Sequence, residues 1–253
     1  MHNFLEHHSH PLPEPIAHRG YSARFPENTM AAFSAAVDLG YRCLETDVHV
    51  TADGTLVAFH DSELDRVADS QGRIEDMSWS DLRRVKVGGS EPIPRFAELL
   101  ATWPDMRFII DPKEDSSVEP LHRALTQADC WDRVCVGSFS DRRLHWLREQ
   151  AGPKLCTSAG PKEITFLRFA SYGLPIPSVA ANCVQAPLRR HGLSVLDKSF
   201  VSAAHSRGLP VQAWTINSRK TMEHLLDIGV DGIMTDEAEL LKKVFMRRSL
   251  WRD

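Results

Sequence analysis

The alternation of apolar and polar residues is clearest between positions 43 and 61, where it predicts a β-hairpin. The first arm alternates with a period of two, which is typical of an extended strand. A turn at Asp53-Gly54 follows, and Asp-Gly between alternating segments is a strong hairpin pattern. An apolar second arm then leads into His60. The pattern therefore places Glu45 and Asp47 on one strand face and lets His60 fold back toward them.

The rest of the chain alternates between short apolar segments and longer segments with helical spacing. Counting Ile16 and Leu44 as the first two strands, further strands are predicted at 107–111, 134–139, 154–158, 179–185, 210–215 and 232–235. Strands that alternate with helices predict parallel pairing and right-handed crossovers. About eight such units predict an α/β fold of the (β/α)8 TIM-barrel class. An open, doubly wound sheet is the alternative, and it is weakened because no GxGxxG follows any predicted strand.

Three segments fall outside this pattern. Residues 1–15 are rich in histidine and proline, and we expect a flexible N-terminal arm there. Residues 62–94 carry polar turns and paired glycines, which predicts a short irregular insertion after the hairpin, with a lid as its expected role. Residues 246–253 form a basic, partly apolar C-terminal tail, expected to be a solvated end or, as the alternative, a weak peripheral contact with an anionic membrane. The barrel domain then spans 16–245.

Composition narrows the class of protein further. The 253 residues are 42% hydrophobic, which suits a single barrel-sized core. A formal net charge of -4 gives no electrostatic case for a nucleic-acid partner. The chain shows no apolar run long enough to span a membrane and no secretory pattern at its start. Five cysteines without a CxxC pair predict buried free thiols in a reducing compartment, so we expect a cytoplasmic protein.

Charged and imidazole side chains cluster where the predicted strands end. In a barrel, the carboxyl ends of all the strands share one face, and that face carries the chemistry. Carboxylates bind hard divalent cations, an arginine fork and a lysine hold phosphate, and two histidines divide the proton transfers. This composition suits phosphodiester cleavage of a small-molecule substrate. The convergent set is His18, Arg19, Glu45, Asp47, His60, Asp111 and Lys113.

Four short motifs occur in a specific order: HRG at 18–20, PENT at 26–29, ETDV at 45–48 and HD at 60–61. Two further motifs follow near the end, WTIN at 214–217 and DGIMTD at 231–236. In this combination the chain resembles the glycerophosphodiester phosphodiesterase family over nearly its whole length. The resemblance implies a (β/α)8 barrel, a divalent cation, and hydrolysis of glycerophosphodiesters to glycerol 3-phosphate and an alcohol.

The same resemblance implies roles for individual residues: His18 and His60 in catalysis, Arg19 and Lys113 in phosphate binding, and Glu45, Asp47 and Asp111 in metal binding. Many relatives carry glutamate where this chain has Asp111. The shorter aspartate changes the metal distance or denticity at that position. Both Mg²⁺ and Ca²⁺ accept carboxylate oxygens, so either ion is compatible with the pattern.

Several positions and functions stay open at this stage. Glu27 either starts a helix or lies near the metal or substrate, and Trp214 either belongs to the core or lines a substrate pocket. Asp231 and Asp236 are expected to be structural. A lysophospholipase D or an enzyme like sphingomyelinase D would use the same groups on a lipid, and a non-catalytic glycerophosphodiester-binding protein is the rival from another class. The sequence does not indicate the oligomeric state.

Overall fold

Eight parallel strands form the centre of the fold. The computed structural model describes residues 3–6, 13–190 and 192–251. The strands are β1 (Glu14–His18), β2 (Cys43–Val50), β3 (Arg107–Pro112), β4 (Val134–Val136), β5 (Cys156–Thr157), β6 (Val184–Pro187), β7 (Val211–Trp214) and β8 (Gly232–Thr235). Hydrogen-bonded neighbours run in the order β5-β4-β3-β2-β1-β8-β7-β6. A parallel bridge from Ser158 to Cys183 joins the two outer strands, so the sheet closes and the predicted barrel is confirmed.

Helices pack around the outside of this barrel. They are α2 (Met30–Asp38), α3 (Trp79–Leu82), α4 (Phe96–Thr102), α5 (Val118–Ala128), α6 (Asp141–Ala151), α7 (Pro161–Ala170), α8 (Lys198–His205), α9 (Arg219–Asp227) and α10 (Ala238–Arg247), after an initial turn, α1 (Asn3–Glu6). Their apolar faces meet the outward side chains of the strands, among them Leu44, Phe108 and Val136. None of the described helices is long and apolar enough to cross a membrane.

Strand β2 shows how the sequence period positions the site. Its outward residues Leu44 and Val48 belong to the core beneath the helices. Glu45 and Asp47 alternate with them and line a cavity at the mouth of the barrel. The short strand Leu56–Ala58 returns antiparallel along β2, so the hairpin predicted from the alternation is present. This hairpin carries His60 back to the same cavity.

The N-terminal segment differs from the flexible arm expected over residues 1–15. The turn α1 places Phe4 and Leu5 in the core, exposed by only 0% and 2%. They pack with Ile16 and Cys43 inside the barrel, and the Arg107 guanidinium lies 5.6 Å from the Phe4 ring centre. Residues 1–2 and 7–12 of the predicted arm lie outside the described part of the chain. The apolar pair closes one end of the barrel, which the histidine-rich composition around it concealed.

The insertion 62–94 has a small core of its own. Its pieces are α3, a 3₁₀ turn at Ile74–Asp76, and the paired strands Lys86–Val87 and Glu91–Pro92. Eight buried apolar side chains hold it together and join it to the hairpin: Val57, Phe59, Leu64, Ile74, Leu82, Val85, Val87 and Ile93. The insertion is therefore a packed unit beside His60.

Several boundaries differ from those predicted, and β4 and β5 are shorter than expected. Strand β6 begins at Val184 instead of 179, because the preceding segment contains prolines at 175 and 177 and is largely exposed. The predicted solvated tail from 246 onward packs in part, since the Trp251 ring meets Tyr41 edge-on at 5.3 Å. Outside the barrel, Arg189–Arg190 and Leu193–Ser194 form a short antiparallel pair.

Candidate active site

A single cavity at the carboxyl ends of the strands collects the predicted chemistry. Its lining contains seven of the predicted polar residues: His18, Arg19, Glu45, Asp47, His60, Asp111 and Lys113. The register of the first three strands brings their polar residues together. His18 on β1 lies beside Glu45 on β2, and Asp47 on β2 lies beside Asp111 on β3. The carboxyl ends of parallel barrel strands face the same way, so residues far apart in sequence meet.

His18 ends β1 and is held by a carboxylate from the other end of the chain. Its Nδ1 lies 2.6 Å from Asp236 Oδ1, and its Nε2 lies 3.8 Å from Glu45 Oε2. Burial favours the neutral imidazole, but the Glu45 and Asp236 carboxylates outweigh burial and raise the pKa of His18. Asp236 accepts further hydrogen bonds from Ser22 and Asn217, at 2.9 and 2.6 Å. Burial alone would raise the pKa of Asp236. The contact with His18 and the hydrogen bonds from Asn217 and Ser22 outweigh burial and lower that pKa to about 2.

The backbone after His18 is shaped by a close approach to helix α2. Gly20 has a φ of +79°, and a Cβ there would lie 2.5 Å from the Ala32 carbonyl carbon, so only glycine fits. Arg19 itself has a φ of +54°, which is rare for a residue with a side chain. This turn directs the Arg19 backbone N–H to Glu45 Oε2 at 3.1 Å. The HRG motif thus fixes His18 and Glu45 together.

Asp47 lies at the centre of the charged groups. Its Oδ1 is 2.7 Å from Lys113 Nζ, and its Oδ2 is 3.0 Å from Arg19 Nε. Asn28 donates to the same Oδ2 at 3.0 Å and accepts from Thr46 at 2.8 Å. Burial disfavours the charged carboxylate, but Lys113 and Arg19 outweigh it, so the pKa of Asp47 is lowered. This carboxylate is ionised and fixed in place.

Lys113 joins Asp47 to Asp111. Its ammonium lies 2.8 Å from Asp111 Oδ2 as well as touching Asp47. The two carboxylates outweigh burial and raise the pKa of Lys113, whereas burial raises the pKa of Asp111. Arg19 Nε lies within ion-pair distance of Asp47 but makes no hydrogen bond to any described group.

Glu45 is the least compensated carboxylate of the cavity. It is 5% exposed, and no arginine or lysine side chain forms an ion pair with it among the described residues. Burial first, and repulsion from Asp47 second, raise the pKa of Glu45 to about 7. Such a group is stabilised by an added cation. The oxygen donors of Glu45, Asp47 and Asp111 are the type that Mg²⁺ and Ca²⁺ prefer, so the donor set fits the predicted cation in its chemistry.

The three carboxylates do not converge on one point in the arrangement described, because Lys113 stands between two of them. Among the described residues, the one group of three or more potential metal ligands within 4.8 Å of each other is Cys135, Cys156 and Cys183. These thiols are fully buried inside the barrel, and desolvation contributes to raising the pKa of Cys135 and that of Cys156. Buried thiols of this kind behave as small apolar core side chains. All five cysteines are free and buried, as predicted.

His60 is held in the same manner as His18. Its Nδ1 lies 2.6 Å from Asp61 Oδ1, and its backbone carbonyl accepts a hydrogen bond from His49 Nε2 at 3.0 Å. A carboxylate only accepts hydrogen bonds, so Nδ1 carries the proton and Nε2 is left as the basic nitrogen. Burial is the largest cause of the lowered pKa of His60, and Lys113 and Arg19 add to it. The two histidines are therefore biased in opposite directions.

The remaining two predicted residues occupy different places. Glu27 is outside the cavity lining, where its carboxylate accepts from Arg19 at 2.8 Å and also pairs with Arg66. Trp214 lies on the cavity wall and meets Phe139 edge-on at 5.5 Å. The same lining includes the apolar side chains of Ile164, Pro187 and Val195, and Arg190, whose guanidinium lies 5.7 Å from the Phe139 ring centre. The cavity lining thus combines charged and apolar side chains.

Three residues of the site are not identified by the sequence reasoning. Asp236 was expected to be structural, yet it binds the ring of His18. Asn28 lies in the PENT motif, where Thr29 caps α2 by accepting from the Ala32 N–H, and the Asn28 amide holds Asp47. Arg66 lies in the irregular insertion and joins Glu27 to Asp61. The DGIMTD and PENT motifs contain the first two residues, but only the closed barrel shows their partners.

Comparisons with known proteins find relatives along nearly the whole chain. Residues 18–240 match the model of the glycerophosphoryl diester phosphodiesterase family. The chain is 36% identical over 245 residues to "Probable glycerophosphodiester phosphodiesterase 2" of Mycobacterium tuberculosis, covering 93% of this chain and 92% of that protein. It is 28% identical to a glycerophosphodiester phosphodiesterase of Caldanaerobacter subterraneus, covering 89% of this chain and 95% of that protein.

Solved structures share the fold. A glycerophosphodiester phosphodiesterase of Agrobacterium tumefaciens superposes with a TM-score of 0.75 at 21% identity, covering 92% of this chain and all of that one. A phosphodiesterase of Oleispira antarctica, solved with the product sn-glycerol-3-phosphate, superposes with a TM-score of 0.75 at 23% identity, covering 94% and 98%. These likenesses confirm the barrel architecture.

Proposed function

The chain belongs to the glycerophosphoryl diester phosphodiesterase family, a family of hydrolases, and on this premise we propose that it hydrolyses glycerophosphodiesters to glycerol 3-phosphate and an alcohol. One observation carries the proposal. Two histidines, each fixed through Nδ1 by a carboxylate, line the same cavity as the cations of Arg19 and Lys113. That combination provides proton transfer and phosphate binding at one place.

Substrate binding starts from the phosphate. The planar guanidinium of Arg19 lines the cavity and suits phosphate oxygens, while Asp47 and Glu27 hold it in place at 3.0 and 2.8 Å. Lys113 adds a point charge from the opposite side of Asp47. Both cations are held by buried carboxylates, so they are in place before substrate arrives and need little reorganisation during the reaction.

The opposite biases of the two histidines support one division of the proton transfers. His60, with its lowered pKa, is neutral near pH 7, and Nε2 accepts the proton of the attacking hydroxyl. That hydroxyl belongs to water, which gives glycerol 3-phosphate directly, or to the glycerol of the substrate, in which case a cyclic phosphate forms first and a water molecule then opens it. His18, whose pKa is raised, is the protonated partner and donates to the oxygen of the leaving alcohol. Asp236 and Asp61 keep each ring in the required orientation.

A divalent cation belongs to this proposal, and dependence on such a cation is general in the family. Glu45, Asp47 and Asp111 would hold it, and the uncompensated charge of Glu45 supports that assignment. When bound, the ion stabilises negative charge on the phosphoryl oxygens. The two positive charges of the ion and those of Arg19 and Lys113 would together exceed the charge of the three carboxylates by one. This excess would balance the single negative charge of a phosphodiester.

The test uses the purified protein and glycerophosphocholine with Mg²⁺ or Ca²⁺ present. The quantity measured is the release of glycerol 3-phosphate. We expect His18→Ala and His60→Ala each to lower kcat by about 10²- to 10⁴-fold, the usual contribution of general acid–base catalysis. His145→Ala is the matched control, since this histidine is exposed on α6 and pairs with Glu149. Turnover retained by both cavity variants would refute the assignment.

A second candidate substrate class is favoured by the apolar side chains of the cavity. Trp214, Phe139, Ile164 and Val195 offer a wall that glycerol and choline do not require. A lysolipid would place its chain there and use the same charged groups. One relative, 24% identical over 269 residues, bears the name Lysophospholipase D GDPD1, from Rattus norvegicus. Release of choline from lysophosphatidylcholine and from glycerophosphocholine, measured side by side, decides between the two.

The proposed location is the cytoplasm. All five cysteines are free and buried, and the pKa of Cys43 is raised to about 12 by burial. Neutral core thiols suit a reducing compartment, where no disulfides form. The test is fractionation of the source cells with an antibody against this chain, and recovery outside the cytoplasmic fraction would refute the proposal.

A further inference from the structure

Arg66 occupies a specific place between two halves of the site. It lies in the insertion, and its side chain contacts two carboxylates at once. Nε donates to Asp61 Oδ2, while the two terminal nitrogens donate to Glu27 at 2.6 and 3.1 Å. Each of these carboxylates uses another contact on a cavity residue. Asp61 binds the His60 ring, and Glu27 binds the Arg19 guanidinium.

The contacts form a chain of alternating charge that we call the Arg66 bridge: Arg19, Glu27, Arg66, Asp61 and His60. Arg19 and His60 lie 41 positions apart by their residue numbers, on different loops of the barrel mouth. The bridge is their shared support outside the cavity. The middle members are partly exposed, with side-chain exposures of 18% for Glu27, 48% for Arg66 and 26% for Asp61.

The insertion does not need Arg66 for its attachment. Its buried apolar cluster, which includes Val57, Phe59 and Leu64, already joins it to the hairpin. Gly88 adds a close approach to Pro26, where a Cβ on the glycine would lie 2.7 Å from the proline ring. Exposed ion pairs contribute little to the stability of a fold. Fixing two carboxylates in defined orientations is therefore the stronger reason for this arginine to make three hydrogen bonds there.

We propose that Arg66 is a positioning residue, which holds Asp61 against His60 and Glu27 against Arg19 so that the base and the phosphate-binding cation keep one relative arrangement. This inference rests on the proposed function. Without Arg66, the outer oxygens of both carboxylates would be free to turn toward water. The imidazole would lose its fixed tautomer, and the guanidinium would lose its fixed plane.

The experiment is a double-mutant cycle on kcat for glycerophosphocholine with Arg66→Gln and Asp61→Asn. We expect Arg66→Gln alone to lower kcat by about tenfold, and Arg66→Lys to restore only part of it, because one ammonium does not match two carboxylates. In the Asp61→Asn background, Arg66→Gln is expected to lower kcat by less than about twofold, since the bridge is already broken. Arg73→Gln is the matched control, because Arg73 pairs with Glu75 in the same insertion, 2.6 Å away.

A second measurement does not depend on turnover. The ¹⁵N shifts of the imidazole nitrogens report which nitrogen of His60 carries the proton. We expect a single Nδ1–H tautomer in the unmodified chain and a mixture in Arg66→Gln. If the unmodified chain hydrolyses no diester, the proposed function is refuted. The tautomer of His60 in Arg66→Gln would still test whether the Arg66 bridge positions the imidazole. Equal effects of Arg66→Gln and Arg73→Gln, full additivity in the cycle, or an unchanged tautomer would each overturn the bridge alone.

Discussion

The ring of His18 and the carboxylate of Asp236 lie 2.6 Å apart, although 218 positions separate them in the chain. Barrel closure causes this contact, because β1 pairs directly with β8 and Ala17 lies beside Thr235. Asp236 therefore follows its strand at the place where His18 ends its own. A carboxylate that accepts from Nδ1 fixes the ring and favours its protonated form.

The first prediction concerns this pair. Asp236→Asn is expected to lower kcat by about 10- to 100-fold. The ring of His18 loses the carboxylate that orients it and that stabilises its protonated form. The Asp236 carboxylate helps to raise the pKa of His18, so its removal lowers that pKa. Since His18 must be protonated to donate, the alkaline limb of the kcat profile should move to lower pH. The measurement is kcat for glycerophosphocholine as a function of pH.

A matched control exists elsewhere in the barrel. His205 and Asp231 form a similar pair, with Nε2 2.7 Å from Oδ2, and neither residue lines the cavity. We expect Asp231→Asn to leave the pH profile in place. If the Asp236→Asn profile superimposed on that of the unmodified chain, the His18–Asp236 contact would have no part in proton donation.

The second prediction concerns the cation. Chelation should abolish turnover, and adding Mg²⁺ or Ca²⁺ should restore it. An ion at 100 times its Kd should also stabilise the fold by about 2.7 kcal/mol, which appears as a rise in Tm. Glu45→Gln is expected to remove most of that rise, while Glu119→Gln, a change at an exposed position on α5, should keep it. Full turnover after exhaustive chelation would exclude the cation from the reaction.

The third prediction concerns Lys113, whose ammonium touches both Asp47 and Asp111. Lys113→Gln should weaken inhibition by glycerol 3-phosphate by about 10- to 100-fold, the size expected for a charge-assisted hydrogen bond. Lys242→Gln is the control, because this lysine donates to the Leu39 carbonyl outside the cavity. An unchanged inhibition constant in Lys113→Gln would place the phosphate elsewhere.

The sequence predicts much of this site because its motifs lie next to regular elements. Alternation along β2 places Glu45 and Asp47 on one face, and the Asp53-Gly54 turn returns His60 to it. Both inferences need only local periodicity and turn chemistry. The barrel then supplies the common face for Lys113.

The parts that escape prediction depend on long-range contacts or irregular backbone. The role of Asp236 requires knowing that β8 lies beside β1, and the role of Arg66 requires the path of an insertion without periodic pattern. Phe4 and Leu5 look like part of a polar arm until the open end of the barrel is known. Side-chain partners across the closed sheet are thus invisible to local pattern.

The fourth prediction follows from that buried pair. Phe4→Ala is expected to lower the free energy of unfolding by about 3–5 kcal/mol, because a fully buried aromatic side chain leaves a cavity. Activity measured well below the transition should be retained, since Phe4 does not line the catalytic cavity. Urea unfolding measures the effect, with Phe169→Ala as control, an aromatic residue that is 47% exposed. If Phe4→Ala lowered the free energy of unfolding as little as Phe169→Ala does, the turn that contains Phe4 would not pack against the barrel in solution.

The fifth prediction separates the two candidate substrate classes. Phe139 is 56% exposed at the cavity mouth, meets Trp214 edge-on, and carries the Arg190 guanidinium 5.7 Å from its ring centre. Phe139→Ala should therefore lower kcat/KM roughly tenfold for a lysolipid while changing that for glycerophosphoethanolamine little, because only the acyl chain on the glycerol of a lysolipid reaches this wall.

The control for this comparison is Tyr172→Ala, which removes an aromatic side chain that is 64% exposed and outside the cavity lining. The informative quantity is the ratio of kcat/KM for the two substrates, since general damage to the enzyme lowers both values and cancels in the ratio. A selective fall in Phe139→Ala assigns the apolar wall to the acyl chain carried by the glycerol of the lysolipid. An unchanged ratio means that this chain does not reach Phe139, and the apolar lining would then give no support to a lysolipid substrate.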